Sequence, residues 1–596
     1  MEKVIGENWS LDSLYAGGKE SSELNGLISQ LKHEMKGLQE IVQTFDQFSS
    51  EQDLIDLLQQ IQEFKQASFE LDEFMVCLYS VNVDDPDVSK LVDESAKLHA
   101  DYESLKIDLD EILAGISEAK WKNLMNHDEV KEYQFYLEER KQKMDDKLPI
   151  EMEKMINKLS VNGFIGWEDY YEQMMGALRF PVEKDGKQEE ISFGQAGRYL
   201  FSSDRSVRQN IARNIVEVCA ERAESFATVL NRINGFRLDV YNQRGWDNVL
   251  KEAMEENRIN EQTVQTMVSA INDKREVAHT FFKRKAQVME LEKLAWYDMD
   301  TPSFTSDKKI SYQEAADIII TQFQKFSDKL GKFAEKAFQE GWIEAEDRKG
   351  KTHGGFCAFM PLKKESRIFL TFTGSYQDVV TIAHELGHAY HNYILQDEPA
   401  FTQEISTSVA ETASTFAENL VLDAAIEHAS SEEDKLSLLE VKILNGLKYQ
   451  VTVPTMFEFE QKLYERRKKG PLTANEISNL MDGMIKKIYG DALDENNKYL
   501  WMTIPHFFHT DLAFYNIPYT IGYLFSNGIY AMAKEQGKQF PEQYDALLQN
   551  SGKMTVEDLA SRFLNKDIEE KEFWEASLEP TIEAINEYMK LTKKMI

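Results

Sequence analysis

Apolar residues recur three and four positions apart through most of the chain, the spacing that gives an α-helix one buried face. The stretch LIDLLQQIQEFKQASFELDEFM (54–75) shows the pattern, and residues 20–145 carry it repeatedly. Only 12 prolines interrupt 596 residues, and the good helix formers Leu, Glu, Lys, Ala, Met and Gln are abundant. The pattern predicts a mainly α chain, with no fixed-length repeat of the kind that builds a solenoid. Two stretches depart from it. RFPVEKDGKQEEISF (179–193) reads as two short strands around the turn-forming pair Asp185-Gly186. THGGFCAFMPLKKESRIFLTF (352–372) reads as two apolar strands around a charged turn. A chain this long exceeds one compact core. The expected division is an N-terminal helical lobe over residues 1–200 and a longer region, 201–596, that carries the chemistry.

Composition narrows the possible partners. The balance of 68 Lys+Arg against 103 Asp+Glu gives a net charge of −35. A surface so acidic repels phosphate, which argues against nucleic acid and anionic membrane as partners. The three cysteines, Cys77, Cys219 and Cys357, are far apart and lack metal-ligand spacing, so a reducing compartment fits better than a disulfide framework. The N-terminal stretch lacks the basic and apolar regions of a signal peptide, and no segment approaches the roughly 20 apolar residues of a membrane span. The expectation is a soluble, cytoplasmic protein, its oligomeric state open.

The chemistry concentrates in VVTIAHELGHAYHNYIL (379–395), which holds His384, His388 and His391 among the chain's 11 histidines. Ser375, followed three residues later by Asp378, forms a capping-box pattern, so a helix should begin near Tyr376. At about 100° per residue, His384 and His388 lie about 40° apart and one turn from each other. Two imidazoles so spaced can reach one zinc ion. Glu385 then stands beside the position where water binds, able to take its proton and pass it to a leaving nitrogen. Val380, Ala383 and Gly387, on the opposite side, suit close packing. His391 reads as a packing residue. The metzincin spacing would place Gly at 391 and His at 394, where His391 and Ile394 stand, so that class is excluded.

A catalytic zinc site usually has three protein ligands and an open position. The downstream acids are Asp397, Glu398, Glu404, Glu411 and Glu418. STSVAETASTFAENLVLDAAIEHA (406–429) reads as the next helix, and Ala410, Ala413, Ser414 and Ala417 surround Glu411 with small groups that permit a close approach. Glu411 is therefore the expected third ligand. Glu418, seven residues on and on the same face, is expected to orient a ligand histidine.

HELGHAYH followed by AETASTFAE resembles the thimet oligopeptidase-like zinc metallopeptidases, and more closely their oligoendopeptidase F branch; the resemblance extends over the whole chain. It implies a two-lobed helical peptidase fold with a deep central channel and a small β element beside the HExxH helix. It implies one zinc ion held by His384, His388 and Glu411, with Glu385 as general base. It also gives a role to IPHFFHTDLAFYNIPYTIGYLF (504–525), where His506, Tyr515 and Tyr519 match the histidine and tyrosines that hydrogen-bond the oxyanion. His506 is favoured over His509. In THGGFCAFM, the resemblance implies an edge strand that binds extended substrate through the backbone, with His353, Gly354 and Gly355 lining the groove. The implied activity is hydrolysis of internal bonds in short unfolded oligopeptides. Two other readings stand beside it: a zinc amidase acting on a non-peptide or terminal group, and a non-catalytic helical scaffold with a structural metal.

Overall fold

Side-chain caps set where the long helices begin. In the computed structural model, which describes residues 5–45, 49–184, 186–305 and 308–595, reciprocal capping boxes start helices at Ser50/Asp53, Ser311/Glu314, Ser375/Asp378 and Thr473/Glu476. Each pairs a hydroxyl with the backbone N–H three residues on, and a carboxylate with the cap's own N–H. The fold is mainly α-helical, and the strands among the described residues are short.

The chain divides into two compact units, both discontinuous in sequence. The first comprises Met1–Lys147, Asp307–Ala424 and Ile529–Lys566. Its N-terminal helices, Ser22–Thr44, Glu51–Val81 and Pro86–Gly115, bury Leu57, Leu58, Phe74, Leu105 and Leu109 in a shared core. Ala358, Met360 and Phe401 join that same core. Here strand Glu365–Phe369 pairs in parallel with Ile343–Glu344 and antiparallel with Phe356–Met360, which leaves Phe356–Met360 as an edge.

The second unit comprises Leu148–Ser306, Ala425–Gly528 and Asp567–Ile596. It is built on the 40-residue helix Arg205–Arg244, whose Ile215, Phe226, Leu230 and Ile233 pack in one core with Phe459 and Trp501. The hairpin Phe180–Lys184/Lys187–Ile191 belongs here. Of its expected turn pair, Gly186 has φ 72° and Asp185 lies outside the described residues.

By packing, the division differs from the linear one expected near residue 200. The chain first changes unit after Lys147, because the N-terminal helices bury their apolar faces against segments more than 200 residues downstream. None of the described helices is long and apolar enough to cross a membrane.

Candidate metal centre and active site

The helix Tyr376–Leu395 begins at its Ser375 cap, as the sequence pattern predicts. One helical turn brings His384 Nε2 within 3.2 Å of His388 Nε2. Glu411 Oε2 completes a triangle, 3.4 Å from His384 Nε2 and 3.6 Å from His388 Nε2. Donors about 2.0–2.1 Å from a tetrahedral ion stand about 3.3–3.4 Å apart, so these three atoms lie within a few tenths of an ångström of the spacing that a zinc ion requires. Among the described residues, His384, His388 and Glu411 form the one such group of three possible ligands.

The expected single helix over 406–429 is interrupted at Glu411. Thr407–Ala410 ends there, Glu411 takes φ −80° and ψ 1°, and Thr412–Glu427 follows. Ser414 Oγ donates to Glu411 Oε2 at 2.9 Å and fixes the carboxylate. The approach of the two segments depends on Gly387, where a Cβ would lie 2.5 Å from Ala413 O and 2.6 Å from Ser414 Cα. The other downstream acids are occupied elsewhere. Asp397 pairs with Lys364, Glu398 with Lys553 and Glu404 with Lys65.

Glu418 Oε1 accepts from His384 Nδ1 at 2.5 Å. With the proton on Nδ1, the Nε2 lone pair faces His388 and Glu411, the tautomer a metal needs. Burial pushes His384 down, but the hydrogen bond and charge of Glu418, with Glu385 and Glu411, outweigh it and hold the imidazole at about 9. Burial and the His384 charge push His388 down. Proton and cation therefore compete for one set of lone pairs.

Glu385 is only 6% exposed. Burial raises its carboxyl to about 7; His384 opposes the shift, and Glu411 and Glu418 add to it. Gly355 adjoins it, since a Cβ there would lie 3.4 Å from Glu385 Oε1. Gly354 has φ 97° and His353 is exposed. All three precede the edge strand. His391 is not part of the group of three possible ligands and meets Ser551 Oγ at 2.8 Å through Nε2.

The second unit gathers the aromatic residues. His506 stacks on Tyr515 at 5.3 Å between centroids, and Tyr519 lies 6.1 Å from both rings. Tyr523 instead stacks on Tyr449 at 4.5 Å. Three residues that sequence reasoning missed hold this segment. Glu168 accepts from His509 Nδ1 at 2.7 Å, Thr510 N at 2.8 Å and Thr510 Oγ1 at 2.5 Å. Arg237 Nη2 donates to His509 O and Thr510 O, each at 3.0 Å. Glu460 Oε1 accepts from Phe514 N at 3.0 Å, where Phe514 takes the left-handed φ of 58°. No local signal could have revealed Glu168, which stands 341 positions from His509. His509 is thus tied to a carboxylate, while burial and the His509 charge lower His506.

The sequence model of Peptidase family M3 matches residues 198–579, and that of Oligopeptidase F matches residues 111–180. The chain belongs to peptidase family M3 and, within it, to the oligoendopeptidase F branch. Oligopeptidase PepF of Bacillus subtilis is 25% identical over 378 residues, which cover 62% of this chain. The chain spans only 55% of that relative's length. Among solved structures, a protein of Chlamydophila abortus superimposes with a TM-score of 0.85 at 17% identity, covering 99% of both chains. Oligoendopeptidase-F of Enterococcus faecium superimposes at 0.71 with 18% identity, covering 96% of this chain and 99% of its own. These likenesses establish for this member of the family a mainly α-helical peptidase fold.

Proposed function

We propose that the chain is a zinc-dependent endopeptidase that hydrolyses internal bonds of short unfolded oligopeptides. The observation that carries this is the triangle of His384, His388 and Glu411 donors, 3.2–3.6 Å apart, with the buried Glu385 on the same helix. His384, His388 and Glu411 would hold one ion. Bound zinc supplies Lewis acidity that activates water and polarises the scissile carbonyl. Glu385 takes the proton of the attacking water and delivers it to the leaving amine; a carboxyl raised towards neutrality suits both transfers. Glu418 fixes the His384 tautomer. Gly355 leaves bare backbone beside Glu385 for an extended substrate; a Cβ there would stand 3.3 Å from Phe369 O and 3.4 Å from Glu385 Oε1. His506, Tyr515 and Tyr519 are assigned as donors to the oxyanion, on their match to the family's aromatic segment and on their mutual packing. The three free cysteines are consistent with a cytoplasmic location.

Mass spectrometry of products from unfolded peptides of graded length, with a folded protein alongside, tests the reading. The parent protein is expected to make internal cuts in short peptides only, and the Glu385→Gln variant to make them about 10²–10⁴-fold more slowly. A zinc-loaded parent that cuts nothing would return the choice to the amidase or the scaffold.

A further inference from the structure

Two carboxylates of helix Glu51–Val81 meet the strand pair, Glu70 at the turn after the edge strand and Glu73 on the strand itself, and they are used differently. Glu70 spends both oxygens inside the fold. One accepts from Tyr15 Oη at 2.5 Å, and the other from Leu362 N at 2.6 Å and Lys363 N at 3.2 Å. Glu73, about one turn further along, accepts a single bond from Phe359 N at 3.3 Å through Oε2. Among the described residues, no lysine, arginine or histidine lies within ion-pair distance of Glu73. It is half-buried, and its Oε1 is not among the sealed polar atoms. A desolvated carboxylate without a cation is costly for a fold to keep, and a cationic ligand removes that cost.

The strand supplies the second half of the site. Because Phe359 N–H turns to Glu73, the Phe359–Ser366 pair does not exchange ladder bonds. Antiparallel pairs alternate, so Cys357, two residues back, also directs its N–H and C=O to the free edge. The open edge thus runs from Gly355, beside Glu385, to Phe359, where Glu73 closes it. Phe69 and Val76, four residues before and three after Glu73, flank it on the helix surface and are each 43% exposed.

We infer that Glu73 is the ammonium-binding end of the peptide site, taking a primary ammonium of an oligopeptide paired with the Gly355–Phe359 edge. The inference rests on the endopeptidase reading and adds a substrate class to it. Four residues of extended strand span about 13 Å. The ammonium therefore lies about three to four residues upstream of the bond that Glu385 serves, and the substrate runs antiparallel to the strand. The ammonium is the free N-terminus or, in a longer chain, a lysine at that distance.

Three versions of one peptide separate these sources: free N-terminus, acetylated N-terminus, and acetylated with lysine placed three to four residues before the cut. Acetylation is expected to raise KM about tenfold or more, since a charge-assisted hydrogen bond is lost. Lysine is expected to restore it, and the cuts should fall at a constant distance from the ammonium whatever the peptide length. In Glu73→Gln all three peptides should have one KM, with kcat close to the parent's. Equal KM for the three peptides in the parent, or discrimination that persists in Glu73→Gln, overturns the inference. Fluorescence anisotropy of the same peptides, labelled at the C-terminus and bound to Glu385→Gln, reads the preference without turnover. Absence of cleavage then counts against the peptidase reading, whereas equal binding counts against the ammonium site.

Discussion

The histidine helix and the aromatic segment are both rich in polar rings, yet they are built in opposite ways. His384 and His388 meet because a helix repeats every 3.6 residues, and Ser375 fixes where that helix starts. His506, Tyr515 and Tyr519 sit on a short 3₁₀ turn, a loop and the start of helix Ile517–Gln536. Their arrangement is held from outside by Glu168, Arg237 and Glu460. A local period sets a pair of imidazoles from a few residues, whereas a loop needs distant partners to hold its shape.

Substitutions can break the comparison on either side. The largest effect is expected from Glu385→Gln, which should lower kcat by about 10²–10⁴-fold and leave the metal content of the purified protein at the parent level. Glu418→Gln removes the carboxylate that sets the His384 tautomer; zinc affinity, measured against a competing chelator, should weaken about 10–100-fold. Gly387→Ala pushes a methyl into Ala413 and Ser414, so thermal stability should fall by about 1–3 kcal/mol and zinc affinity with it. A parent-like melt would mean that the two segments can separate at no cost. On the other side, Glu168→Gln should lower kcat about tenfold while zinc affinity stays unchanged. A fall in zinc affinity in that variant would show that the two regions are not independent.

The smallest effect concerns pH. Burial raises Glu460 to about 7 from an ordinary 4.5, against the opposing pull of Phe514 N–H and Arg237. Between those values the folded chain holds a proton that the unfolded chain has lost. Its contribution to stability is therefore present at low pH and lost as pH rises from about 4.5 through 7. Glu460→Gln should flatten that part of the melting-temperature profile, and an unchanged slope would remove Glu460 as its source.

Local physics made part of this molecule legible in advance. The helical bias, the Ser375 start, the two strand pairs and the His384–Glu385–His388 placement all follow from periods and caps within a few residues of one another. Small residues around Glu411 pointed to close packing, and the Gly387 contact with Ala413 and Ser414 is that packing.

What remained depended on partners far apart in sequence. Nothing near Asp397, Glu398 or Glu404 says that Lys364, Lys553 and Lys65 occupy them, which is what separates them from Glu411. The break at Glu411 is likewise marked by no proline or glycine in residues 406–417. The division into units escaped a linear reading because the N-terminal helices share a core with Ala358, Met360 and Phe401. Glu73 and Glu168 look like ordinary helix glutamates until the chain folds back and sets Phe359 against one and His509 against the other. Spacing along a helix acts over one turn, so the sequence by itself determined the pairing of His384 with His388 and the place of Glu385 beside them. The meeting of Glu411 with the two histidines, the clamp on the aromatic segment and the closed end of the strand edge are contacts across more than 20 residues, and only the tertiary structure decided them.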